Sequence, residues 1–353
     1  MESAKDSWHY RSWFRLPEPL PLAFFRPVIT MKYFPLFVAL MGVSFAAAAQ
    51  GPVQISLEDL RKKYADDGSR FVTIDGAEIH YRDEGQGAVV VLLHASYFNL
   101  LAWDQLTEEL VNDHRVIRLD FPNVGLSGPE TKEPPGGKFN LIERNVEIVS
   151  GLVEKLDLDQ FALVATSSGG SVGFRYASRY PEHVTRLVLI NSAGMPRTAR
   201  TDPNRARPEV AQWDDMPVKP REFWEFSVNQ NFPSDVDAPG WFVDLAYDVN
   251  RRAETTPQSK YFFETGDPQT ILSGIQAPTL ILWGKANPTV MHLEGDVFQH
   301  WMTSAPTFLK KYEGLGHYPY VEAPERVIPD IAQFLAGAWD DRLRQTQRVK
   351  VTP

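Results

Sequence analysis

Four short apolar runs limit most strongly what this chain can fold into: AVVVLL at 88–93, FALVA at 161–165, LVLI at 187–190 and LILW at 280–283. A strand with one wet face alternates apolar and polar residues, whereas a strand buried on both faces reads as a continuous apolar run. Segments of helical period lie between the runs, among them LAWDQLTEELVND, FNLIERNVEIVSGLVEKLDL and SGGSVGFRYASRY. HRVIRLDFP and TFLKKYEG read as further strands, and EAPERVIPDIAQFLAGAW as a last helix. Near the front, FVTIDGAEIHYRDEG reads as two alternating strands around an Asp75-Gly76 turn. Strand and helix in alternation predict an α/β fold with a mostly parallel sheet covered on both faces.

The alternation breaks at about Gly194 and resumes at PTLILWG. Residues 195–272 are rich in Pro, Trp and Phe, with Trp213, Phe223, Trp224, Phe226, Trp241 and Phe242 among them. The expected organisation is a core of residues 71–194 and 273–339 interrupted by a mainly helical lid at 195–272, with a polar tail at 340–353. Ahead of the core, MKYFPLFVALMGVSFAAAAQ has a lysine, an apolar run too short to span a bilayer, and a small-x-small site at Ala47–Ala49. Residues 31–49 are therefore read as a signal peptide and residues 1–30 as a non-native N-terminal extension. This reading makes the protein exported, to a bacterial periplasm or the medium, with no stable membrane anchor after cleavage.

With no cysteine in the chain, disulfides, thiolate nucleophiles and Cys-based metal sites are all excluded. A net charge of −9 gives nucleic-acid binding no electrostatic support. No His/Glu spacing suggests a metal, so no cofactor or metal is expected, and the partner expected is a small-molecule substrate. Any nucleophile must be oxygen or nitrogen.

The candidate is Ser167, in Ala165-Thr166-Ser167-Ser168-Gly169, where a strand pattern meets a helix pattern. A side chain on so sharp a turn points into the space beyond the strand ends, where open parallel sheets bind ligands. Such a turn strains its central residue and needs small residues two positions to either side, here Ala165 and Gly169.

Together with HASYFNLLAW (94–103), DFPNVGLSGP (120–129), PTLILWG and GLGHYPYVEAPERV (314–327), this pentapeptide resembles the α/β-hydrolase superfamily from about Phe71 to Trp339. The family's G-x-S-x-G appears with Ala at its first position. The resemblance implies Ser167 as nucleophile and His317 as its base. It implies an oxyanion hole from the backbone N–H groups of Ser96 and Ser168, although Ala95 stands where the family has glycine. Asp120, Gly125 and Ser127 would shape a structural loop, and His94 a structural position. Tyr97 and Phe98, beside the oxyanion loop, are candidate substrate contacts, with packing against the lid as the alternative.

The pattern departs from the family at the triad acid. The position after the penultimate strand is Asn287, and the alternative position after the sixth strand is Asn191. Three readings stay open: Asn287 orients His317 through its carbonyl oxygen; a carboxylate such as Asp267, Glu294 or Asp296 substitutes; or hydrolysis has been lost and the fold binds a ligand. Losing the carboxylate of a serine triad costs roughly 10⁴ in rate, about 5.4 kcal/mol. The implied function is a hydrolase that cleaves a small to medium apolar ester or related acyl compound through an acyl-enzyme. The alternative is a non-catalytic or weakly active ligand-binding member. Serine at the elbow argues against dehalogenase and epoxide-hydrolase chemistry, which needs a carboxylate there; carbon–carbon bond hydrolysis and cofactor-free perhydrolysis keep the serine.

Overall fold

The computed structural model describes residues 53–195 and 210–339. The expected extension (1–30), signal peptide (31–49) and tail (340–353) lie outside the described residues. Among the described residues, eight strands form one sheet: β1 (Arg70–Ile74), β2 (Ala77–Gly85), β3 (Ala88–Leu93), β4 (His114–Leu119), β5 (Phe161–Thr166), β6 (Val184–Ile190), β7 (Thr279–Gly284) and β8 (Thr307–Tyr312). Their spatial order is β1-β2-β4-β3-β5-β6-β7-β8. β1 and β2 pair antiparallel, as do β2 and β4; every later pairing is parallel.

Among the described residues, ten α-helices accompany the sheet. They are α1 (Leu57–Tyr64), α2 (Asp104–Leu110), α3 (Leu141–Lys155), α4 (Ser167–Arg179), α5 (Arg221–Asn229), α6 (Gly240–Asn250), α7 (Pro268–Ser273), α8 (His292–Trp301), α9 (Pro319–Glu322) and α10 (Pro324–Leu335). The apolar runs divide residue by residue between two faces. Val90, Leu92, Val164, Val188, Ile190 and Leu282 join one cluster with residues of α2, α5, α6 and α10. Val91, Leu93, Leu163, Ala165, Leu189 and Ile281 join the other with α3, α4 and α8. Because each central strand must supply both cores, its middle is apolar on both faces, and polar residues such as Thr166, Thr185, Arg186 and Thr279 fall toward the strand ends.

Two sequence expectations shift at their edges. LAWDQLTEELVND begins as a 3-10 turn, Leu100–Trp103, with Asn99 capping Leu101 N–H. The last helix is broken at Ala323, so that α9 and α10 are separate. Pro324 accounts for the break, since proline disfavours helical geometry in the residue before it.

The segment between β6 and β7 carries α5 and α6, whose Trp224, Val228, Phe242, Val243 and Ala246 are buried in the first cluster. Farther on, Tyr261–Phe262 pairs in parallel with Phe139–Asn140, tying the end of this segment to the start of α3. α7 packs on α4 and α8, so the last residues of the expected lid belong with the core. Among the described residues, no helix is long and apolar enough to cross a membrane.

Candidate active site

β5 delivers Ser167 to the end of the sheet, and α4 starts on that residue. Ser167 has φ +51°, the strained left-handed conformation that a strand-to-helix elbow imposes on its central residue. The requirement for a small residue at position 169 is explicit in the structure. A Cβ on Gly169 would stand 2.4 Å from the His94 carbonyl oxygen and 2.6 Å from that of Leu93. Both are backbone atoms of the neighbouring strand end, and neither can swing aside.

His317 lies in the loop between β8 and α9 and is 2% exposed. Its Nε2 is 2.9 Å from Ser167 Oγ. Its Nδ1 is 3.2 Å from Oδ1 of Asn287, which follows β7 and is itself buried. Which end of the Asn287 amide faces the imidazole is settled by the backbone: Thr289 N–H (2.9 Å) and Val290 N–H (3.1 Å) both donate to Oδ1. A flipped amide would set its NH₂ against two donors. The carbonyl oxygen therefore faces Nδ1, which must carry the proton, and Nε2 is left with its lone pair toward the Ser167 hydroxyl. This is the tautomer that a general base needs. Asn287 Nδ2 is buried and has no hydrogen-bond partner among the described residues.

Among the described residues, no carboxylate pairs with the imidazole. Burial pushes His317 down to about 4, against an ordinary value of 6.5. The carboxylates weighed from sequence are placed as follows. Asp267 caps α7 through Gln269 N–H, Asp296 pairs with Lys311, and Glu294 lies in the first turn of α8. The bonds of Asp267 and Asp296 lead away from His317, whose ring nitrogens meet Asn287 and Ser167.

Three residues fix the histidine loop. Glu322 accepts from Gly316 N–H (2.5 Å) and Tyr318 N–H (2.8 Å), spanning His317 from both sides. Burial raises its carboxyl above the usual range while those two N–H groups oppose the shift. Asn191, weighed as an acid position, uses both ends of its amide structurally. Its Nδ2 donates to the carbonyls of Gly316 and His317, and its Oδ1 accepts from Gly284 N–H. The carbonyl of Asn231, just past α5, accepts the His317 N–H at 2.8 Å. Glu322 stood in the quoted motif, where its spacing from the histidine was the available signal. Asn231 had no sequence signal at all, because it lies 86 positions away in an irregular segment.

Ser96 and Ser168 lie across the same end of the sheet, bridged by a 2.8 Å hydrogen bond from Ser96 Oγ to Ser168 Oγ. Ser168 N–H belongs to the first turn of α4, where intrahelical partners are lacking. Neither backbone N–H has a recorded acceptor among the described residues. The two candidate substrate contacts separate. Tyr97 is 56% exposed and meets Trp224 edge-on, while Phe98 is buried, stacked on Phe242 and packed against Tyr318.

His94 donates from Nδ1 to Ala95 O and accepts Phe121 N–H at Nε2, a structural use. Asp120 accepts from Leu100 N–H, Leu126 N–H and His80 Nδ1, and Ser127 Oγ donates to the Asp120 carbonyl. With Ser69 Oγ 3.0 Å from His80 Nε2, this buried network has the members of a Ser-His-Asp set. It has no elbow, however, and Ser69 Oγ is occupied by Asp66 N–H.

A model of the alpha/beta hydrolase family matches residues 90–330. A 2-hydroxy-6-oxo-2,4-heptadienoate hydrolase of Pseudomonas putida is 34% identical over 283 residues, which cover 76% of this chain and 96% of the relative. Among solved structures, an enol-lactonase from Burkholderia xenovorans superposes with a TM-score of 0.61 at 18% identity, over 76% of this chain and all (100%) of that one. A carboxylesterase from Bacillus subtilis gives 0.60 at 17% identity, over 80% and 96%. At such identities these two likenesses concern the fold alone.

Proposed function

Since this chain belongs to the alpha/beta hydrolase family and is an enzyme of the hydrolase type, we propose that it works through a serine acyl-enzyme formed at Ser167. The observation that carries this reading is the alignment of Ser167 Oγ, His317 and the carbonyl end of Asn287 in one hydrogen-bonded row. In the first half-reaction Oγ attacks the acyl carbon as its proton passes to His317 Nε2. The tetrahedral oxyanion is held by the N–H groups of Ser96 and Ser168, and the proton then goes to the leaving alcohol. In the second half-reaction water repeats the sequence and releases the acid. Asn287 holds the tautomer but offers the transient imidazolium a dipole in place of a full charge.

The substrate proposed is a small to medium apolar ester or related acyl compound. The aromatic surroundings support it: Tyr97 toward solvent, with Trp224, Phe98, Phe242 and Tyr318 buried beneath. The Pseudomonas putida relative favours a second substrate class, the keto acid in its name. We also propose export, with cleavage before Gln50, on the strength of the leader pattern alone; the intact mass of the protein recovered from periplasm or medium tests it.

The functional test is hydrolysis of p-nitrophenyl butyrate by the chain from Gln50, beside Ser167→Ala. Turnover by the parent and none by the variant is the expected result. A parent active on 2-hydroxy-6-oxo-2,4-heptadienoate but not on esters would move the reading to the second class. A parent equal to Ser167→Ala on both would overturn the serine mechanism.

A further inference from the structure

Ala95–Phe98 forms a tight turn, closed by Phe98 N–H to the Ala95 carbonyl at 3.4 Å, with Ser96 and Tyr97 at its centre. Tyr97, the third residue, has φ +70°. Positive φ at this place characterises a type II turn and calls for glycine or asparagine; tyrosine there favours the type I alternative, in which the central peptide plane is turned over. The peptide concerned joins Ser96 to Tyr97, next to the Ser96 N–H assigned to the oxyanion. A turn that goes against its own sequence persists only where its surroundings over-determine it.

The stabilising contacts come from the segment between β6 and β7. Asn250, the last residue of α6, donates from Nδ2 to the Tyr97 carbonyl at 2.9 Å and to Ala246 O at 2.7 Å. Trp224 of α5 meets the Tyr97 ring edge-on at 5.5 Å. α6 is in turn fixed from the N-terminal side. Its buried Asp248 accepts from Tyr64 OH at 2.6 Å and from Lys63, both of α1, and Ile55 bridges to Arg252 just beyond the helix.

We infer that Asn250 is a positioning residue for the oxyanion hole: its bond to the Tyr97 carbonyl anchors the third residue of the turn, whose φ of +70° sets the neighbouring Ser96–Tyr97 peptide, so that the hole is complete only while α6 is seated. The inference rests on the acyl-enzyme reading above. Asn250 is exposed and ends its helix, so alanine there disturbs no core. Because the hole acts on charge that exists only in the transition state, its loss falls on kcat rather than KM.

The test is a double-mutant cycle on p-nitrophenyl butyrate turnover, with thermal unfolding measured in parallel. Asn250→Ala is expected to lower kcat five- to tenfold with KM within twofold and Tm nearly unchanged. Glycine takes positive φ without steric cost, so in a Tyr97→Gly background the same substitution is expected to change kcat less than twofold. A loss of equal size in both backgrounds, or no loss in the first, overturns the inference while leaving the hydrolase reading intact. A wild-type chain silent toward both the ester and a fluorophosphonate brings down both together.

Discussion

Replacing Asn287 by aspartate gives the site the one charge it lacks. Oδ1 is 3.2 Å from His317 Nδ1 and already accepts two backbone N–H groups. A carboxylate in this position inherits both donors, and its second oxygen takes the place of the unpartnered Nδ2. At 3.2 Å and an effective dielectric of ~20, opposite unit charges attract by about 5 kcal/mol. After the cost of burying the carboxylate, about 3 kcal/mol is a reasonable net.

Burial holds His317 at about 4, so under the proposed mechanism the base is expected to stay unprotonated, and activity to persist, down to weakly acidic pH. The substitution should carry the acid limb of the kcat/KM profile from near pH 4 to near pH 6. The plateau should rise about 10²-fold, less than the full 10⁴ attached to a triad carboxylate. Part of that 10⁴ reflects a wrong histidine tautomer, and Thr289 and Val290 already secure the right one here. The assay is the pH–rate profile of p-nitrophenyl butyrate hydrolysis for both proteins. An unmoved acid limb with a rate change under threefold would refute the electrostatic reasoning.

Further expectations follow from the same geometry. Gly169→Ala places a methyl group against two immovable carbonyls, and should cost about 2–3 kcal/mol and several degrees of Tm, read by calorimetry. Glu322→Gln leaves one of two buried N–H groups without an acceptor; the expected cost is about 1–3 kcal/mol, read by urea unfolding, together with a lower kcat. His317 is held below its ordinary value when folded, so the unfolded chain takes up its proton first as pH falls. The stability it contributes is complete above about pH 6.5 and is lost toward pH 4, by up to about 3 kcal/mol. His317→Gln should flatten the decline in unfolding free energy between pH 7 and 4.5 by about that amount.

What was legible in the sequence was what depends on neighbours in the chain. The apolar runs foretold buried strands because each must feed two cores, and the elbow foretold Ser167, Ala165 and Gly169 because close approach constrains residues two apart. His317 and Asn287 came through motifs bound to strand ends. Interactions between distant segments were not legible. Asn191 stood out as a vacant acid position, but its use as a brace between β7 and the histidine loop depends on partners 93 to 126 positions away. Asn231 and Asn250 belong to a stretch whose aromatic composition announced burial but not which polar groups would reach the loops that carry His317 and Tyr97. The orientation of the Asn287 amide was equally hidden, since it is set by two backbone N–H groups and not by any side chain.

Fluorophosphonate labelling followed by intact-mass and peptide analysis tests the central claim, an activated Ser167, most directly. One adduct per wild-type chain is expected, located on Ser167 and absent from Ser167→Ala. An unlabelled wild-type chain, or an adduct that persists in the variant, would contradict it.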